Sequence, residues 1–132
     1  YMEKMGFQVK DLGTYSKERS DYTQFAAKIA KEISQKRNDR GVLICKSGIG
    51  SSIVANRFPG VRAALVYNIK AVRLSRGHND SNVLVMGSGF VKPALAKRMV
   101  RIWMDTEFQS GRHARRLNQI KKIEKDIKKW KV

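Results

Sequence analysis

The sequence holds one cysteine, two prolines and two histidines in 132 residues, and only 11 Asp and Glu stand against 28 Lys and Arg. A single thiol excludes a disulfide-stapled scaffold and points to a reducing compartment, with the cytoplasm as the expected location. One cysteine and two distant histidines lack metal-ligand spacing, so no metal is expected. No apolar run approaches the roughly 18 residues that cross a bilayer, and residues 1–10 lack the basic-then-apolar order of a signal peptide. No membrane partner is therefore expected.

The shortage of acidic residues leaves a net charge of +17. The charge is concentrated at one end, since residues 92–132 carry 13 basic against 4 acidic side chains and residues 1–40 carry 9 against 6. Such a field attracts polyanions in general, from nucleic acid to small phosphorylated metabolites, and does not choose among them. No aromatic RNA-recognition motif or helix-turn-helix pattern accompanies the charge, which leaves nucleic acid as a disfavoured partner. With 42% hydrophobic residues the chain has material for a packed core, so it is not a disordered basic tail.

Three short, continuous apolar runs carry the fold: residues 41–45, 63–66 and 83–86. Each reads as a strand buried on both faces of a parallel sheet. Helical segments are expected over residues 51–57 and 69–76, between these strands, and over 93–106 with Pro93 in the first turn. Before them, residues 1–6 read as a helix end closed by Gly6, residues 7–11 alternate as a half-buried strand, and 13–21 form a turn-rich loop. Residues 22–36 then place Tyr22, Phe25, Ala26, Ile29, Ala30 and Ile33 on one helical stripe. The class is α/β with a doubly wound parallel sheet, a flavodoxin-like or Rossmann-like three-layer arrangement. It ends in an extended basic helix, residues 112–130, whose apolar stripe is Leu117, Ile120, Ile123, Ile127 and Trp130. No strand follows that helix, so it is expected to pack outside or on another subunit.

Ligands of an open parallel sheet bind beyond the carboxyl ends of the strands. Two glycine loops fall there, Cys45-Lys46-Ser47-Gly48-Ile49-Gly50-Ser51-Ser52 and Met86-Gly87-Ser88-Gly89. The first runs into a helix, so its amides suit an oxyanion or phosphate as well as they suit plain turn geometry. It has neither the Walker spacing nor the dinucleotide fingerprint. Cys45 reads as a small core hydrophobe or, beside Lys46 and near a helix start, as a nucleophile or general base. His78 sits in the turn before the third strand, where its plain role is to satisfy turn backbone, and His113 reads as an ordinary exposed side chain.

Five strings, taken in this order, carry a resemblance: Asp11-Leu12-Gly13-Thr14-Tyr15-Ser16, residues 41–50, Ala55-Asn56-Arg57-Phe58-Pro59-Gly60-Val61-Arg62-Ala63-Ala64, His78-Asn79-Asp80-Ser81-Asn82-Val83-Leu84 and Gly111-Arg112-His113. Together they resemble the type B ribose-5-phosphate isomerase family, which includes the galactose-6-phosphate isomerase subunits. The resemblance implies an aldose-ketose isomerase with no metal or organic cofactor, interconverting ribose 5-phosphate and ribulose 5-phosphate through a cis-enediolate. By the same resemblance Cys45 matches the proton-transferring base, His78 the ring-opening residue, and Ser47, Gly48, Ile49 and Gly50 the loop that stabilises the enediolate. Asn79 matches a substrate-binding asparagine, and Arg112 and Arg116 match phosphate ligands. The implied assembly is a homodimer or homotetramer with sites between subunits. Alternatives are a 6-phosphorylated hexose, allose or galactose 6-phosphate, as substrate, or a non-catalytic domain that binds nucleic acid or another polyanion.

Residues 1–111 are expected to form the isomerase core and 112–132 a basic helix of the same domain at the subunit interface. The chain departs from the family in three ways. It lacks the residues of a first strand that ends in an Asp-His pair, a strand that would lie between two others, so it reads as N-terminally truncated with two strand edges exposed. Lys46 replaces a glycine and either crowds the sugar or adds positive charge at the substrate. Gly89 stands where a phosphate-binding arginine is common, with Lys92 nearby as a point charge.

Overall fold

A computed structural model describes residues 1–13 and 21–130. Its described elements are α1 (Tyr22–Ser34), β1 (Gly41–Cys45), α2 (Ile49–Ala55), β2 (Ala63–Leu65), α3 (Ile69–Gly77), β3 (Val83–Gly87), α4 (Pro93–Asp105) and α5 (Arg112–Ile127). The strands pair in parallel in the order β1-β3-β2, with Gly41 opposite Val83 and Cys45 opposite Gly87. β1 and β2 thus flank β3, the last strand in the sequence, and the apolar run 83–86 occupies the centre because it is the one buried throughout.

Period-2 alternation along β3 divides the core between two faces. Val83 and Val85 pack with Leu43 against Ala26, Ala30 and Ile33 of α1 and Ala55 of α2. Leu84 and Met86 pack against Val72 of α3 and Met99, Val100 and Trp103 of α4. The result is three layers, helix on sheet on helix, as the alternation of strands and helices implies. Burying each large side chain of β3 contributes about 1.5–3 kcal/mol. The largest fully buried side chain among the described residues, Trp103 of α4, donates from Nε1 to Ser81 Oγ at 2.8 Å.

Several expectations need correction. Residues 7–11 are extended but join no ladder, and Val9 is exposed. A strand needs a neighbour within about 5 Å to use its backbone groups, and a cleft of about 630 Å³ separates this segment from β1. α2 starts at Ile49 and ends at Ala55, two residues before each expected boundary, because Gly48 at φ +84° begins the helix directly after the loop. Gly6, at φ +92°, does close the first turn, which is a 3₁₀ turn over Glu3–Met5. α5 ends at Ile127, short of the expected Trp130. In the expected loop 13–21, residues 14–20 lie outside the described residues, as do residues 131 and 132.

Candidate active site

The loop that follows β1 is pinned from three sides. The Cys45 carbonyl accepts from the Ser88 amide at 2.7 Å and the Lys46 carbonyl from the Gly89 amide at 2.9 Å. The Ser47 carbonyl accepts from the Tyr67 hydroxyl at 2.9 Å. The two glycine loops are therefore stitched together at the carboxyl end of the sheet. Their glycines are there for contact as well as conformation: a Cβ on Gly87 would stand 2.3 Å from the Ser47 carbonyl oxygen, and one on Gly50 would stand 2.5 Å from the Tyr22 ring. Close approach thus accounts for those two positions, and the left-handed φ accounts for Gly48.

Within this loop the half-buried Cys45 sulfur is held by two polar neighbours. The Gly48 amide donates to it at 3.2 Å, and the buried Ser51 hydroxyl lies 3.1 Å away, sharing a hydrogen in either direction. Ser47 Oγ accepts from the Ile49 amide at 3.2 Å. Lys46 is exposed, its charge in solvent beside the loop. A thiol fixed among donors at the mouth of a cleft can act as a base or nucleophile, which is more than a core hydrophobe does. That cleft runs along the edge of β1 that pairs with no strand among the described residues, ends at Cys45 and Ser51, and is lined elsewhere by residues 8–13 and by Tyr22 and Phe25.

The other residues singled out from the sequence gather elsewhere. His78 caps α3 and so lies before β3, at the amino end of the sheet, whereas Cys45 lies at the carboxyl end. Its ring stacks on His113 with centroids 4.1 Å apart and planes 13° from parallel. His113, expected to be exposed, is buried, because the entry into α5 folds it onto α3. Burial first, then the charges of His78, Arg112 and Arg116, hold the His113 imidazole below its ordinary range. Arg112 and Arg116, one turn apart on α5, are exposed beside this pair, and Asn79 is exposed next to His78. One chain therefore assembles Cys45, Lys46, Ser47, Gly48, Ile49 and Gly50 at one end and His78, Asn79, Arg112 and Arg116 at the other.

Sequence reasoning passed over Tyr67 and gave no role to Ser51, within the loop, or to His113. Tyr67 carried a usable signal, since it follows β2 and so belongs to the same sheet end as both glycine loops. Ser51 and His113 carried none, because helix start and helix docking decide where they point. Among the described residues no group of His, Cys, Asp and Glu is arranged to hold a metal ion.

Fold and loop together define a parallel α/β protein with two stitched glycine loops beyond the strand carboxyl ends. The profile of the Ribose/Galactose Isomerase family matches residues 1–120. Ribose-5-phosphate isomerase B of Escherichia coli (strain K12) is 41% identical over 124 residues, spanning 94% of this chain and 83% of that protein. The structure of Clostridium thermocellum ribose-5-phosphate isomerase B superposes with a TM-score of 0.92 at 44% identity, over 96% of this chain and 85% of that one. That of the Mycoplasma genitalium enzyme with bound ribulose 5-phosphate gives 0.90 at 36% identity, over 94% and 83%. The chain belongs to the ribose/galactose isomerase family. It is a sugar-phosphate isomerase.

Proposed function

We propose that this chain interconverts ribose 5-phosphate and ribulose 5-phosphate through a cis-enediolate with Cys45 as the base. The observation that carries the reading is the seat of the Cys45 sulfur, between the Gly48 amide and the Ser51 hydroxyl at the head of the loop. The base takes the proton from C2 of the open-chain aldose. The electron pair becomes the C1–C2 double bond, and negative charge collects on the former carbonyl oxygen. The base returns its proton to C1 while the O2 hydroxyl proton passes to O1, and the ketose results. The Ser47 hydroxyl, the Gly50 amide and the Lys46 ammonium are the donors offered to that oxygen, since the Gly48 and Ile49 amides are engaged by the Cys45 sulfur and Ser47 Oγ. His78 opens the ring, Asn79 holds a sugar hydroxyl, and Arg112 and Arg116 grip the phosphate, for which the planar guanidinium fork is well shaped.

Because one chain keeps these groups at opposite ends of its sheet, we read the site as composite, completed by a second copy in a homodimer or a homotetramer. Residues 1–111 then form the core, and 112–132 lie at the subunit interface. The exposed side chains of Ile120, Ile123, Ile127 and Trp130 along and just beyond α5 support that reading, since an unpartnered apolar stripe is buried on association. We assign the enzyme to the cytoplasm, where its free thiol stays reduced.

The test is ketose formation from ribose 5-phosphate by this chain and by Cys45→Ala, with equal far-UV circular dichroism required of both. Turnover by the parent and none by the variant is the expected result. Unchanged turnover in Cys45→Ala removes Cys45 as the base. Turnover with allose or galactose 6-phosphate in place of the pentose moves the substrate to a hexose. A second reading, polyanion binding, is favoured by α5, where Arg115, Arg116, Lys121, Lys122 and Lys125 are exposed and in no ion pair among the described residues. It requires a folded chain without turnover and nucleic-acid affinity that falls steeply with salt.

A further inference from the structure

The Ser47–Gly48 peptide is held at both ends by side chains. Its carbonyl accepts from the Tyr67 hydroxyl at 2.9 Å, and its N–H donates to the Cys45 sulfur at 3.2 Å. The neighbouring Cys45 and Lys46 carbonyls are taken by backbone amides of residues 88 and 89, so Tyr67 is the one side chain among the three clamps. We infer that Tyr67 is a positioning residue for Cys45, acting through the Ser47–Gly48 peptide to aim and polarise the N–H that holds the sulfur. The inference rests on the reading of Cys45 as the base, and its test is built to fail separately.

The physical argument has two parts. First, a peptide is planar, so fixing the carbonyl direction fixes the N–H direction on its other side. The Ser47 carbonyl lies against Gly87 and has Tyr67 as its donor, which leaves the plane little room to turn. Second, a donor on the carbonyl draws charge toward oxygen and makes the N–H a stronger donor, the cooperative gain of linked hydrogen bonds. The phenol is itself braced, because its ring stacks on Phe90 with centroids 4.8 Å apart and planes 16° from parallel. Half-buried and anchored in this way, Tyr67 presents its hydroxyl to the loop from the segment that follows β2.

The discriminating variant is Tyr67→Phe, which removes one hydroxyl and retains the stacked ring. Its alkylation by iodoacetamide at neutral pH is expected to slow about three- to tenfold, since the thiolate is the reacting form and loses part of its donor. Turnover of ribose 5-phosphate should fall by a similar factor in kcat while KM changes less than about twofold, because the phosphate ligands are untouched. Phe90→Leu retains the phenol and loses the stack, and should alkylate within about twofold of the parent. Equal alkylation in Tyr67→Phe and the parent overturns the inference, whatever the turnover. A fall in Phe90→Leu as large as in Tyr67→Phe also overturns it, since loop packing and not the hydroxyl would then govern the sulfur. Turnover surviving in Cys45→Ala would instead defeat the assignment of the base, and the alkylation rates would still decide the role of Tyr67.

Discussion

Mixing two dead variants should restore activity if the site is shared between copies. β1 runs five residues from Gly41 to Cys45, and His78 precedes the strand that pairs with it in register. At a rise of ~3.3 Å per residue the strand alone sets the two groups about 13 Å apart, whereas a proton moves over hydrogen-bond distance. Cys45→Ala and His78→Asn should each lower turnover by about a hundredfold or more. Refolded together in equal amounts, half of the dimers are mixed. In each mixed dimer one site carries both lesions and the other carries neither, so about a quarter of the parent activity returns in a two-fold symmetric assembly. The assay is ketose formation, with native mass spectrometry to count mixed dimers. Mixed dimers present at the expected level but without recovered turnover would refute the shared site.

Other expectations can be checked alongside it. Arg112→Ala should raise KM for ribose 5-phosphate with a smaller effect on kcat, because a phosphate ligand contributes mainly uniform binding; an unchanged KM would remove it from the site. Gly87→Ala drives a methyl to 2.3 Å from the Ser47 carbonyl oxygen, a backbone atom that cannot swing aside. It should cost about 1–3 kcal/mol in urea unfolding, and a loss within error would show that the two loops separate freely. Arg76, buried on α3, donates to Asp80 Oδ1 at 2.7 Å, to the Ser81 carbonyl at 2.8 Å and to the Thr106 carbonyl at 3.2 Å. Arg76→Ala leaves those acceptors without their donor and should destabilise by about 2–4 kcal/mol, less than a fully buried pair because Asp80 is partly exposed.

The pH dependence follows from the depressed imidazole of His113. On acidification the unfolded chain binds that proton first, so stability present at neutral pH is lost as pH falls through the ordinary histidine range toward the lower folded value. Urea midpoints at about pH 7.5 and pH 5.5 should therefore differ less in His113→Gln than in the parent. An equal or larger drop in the variant would refute the assignment.

The strands at 41–45, 63–65 and 83–87 were readable from the sequence because continuous apolar runs suit only a sheet covered on both faces. The α1 stripe was readable because Ala26, Ala30 and Ile33 recur at helical spacing, and all three are buried. The Cys45 loop stood out for a related reason, since a strand end followed by glycines is a local pattern. The alternation at residues 7–11 pointed the wrong way, because a strand exists only through a partner and none lies alongside within the described residues.

What the residues decided alone is the class of fold, the loop at Cys45 and the basic helix at the end of the chain, all properties of short-range pattern. Tertiary structure decided which candidates meet. It placed β3 between β1 and β2, set His78 at the opposite end of the sheet from Cys45, buried His113 against it, and brought the Tyr67 hydroxyl to the Ser47 carbonyl. Each of those is a contact between elements distant in sequence, fixed by the packing of two helical layers on one sheet, and local pattern does not encode it.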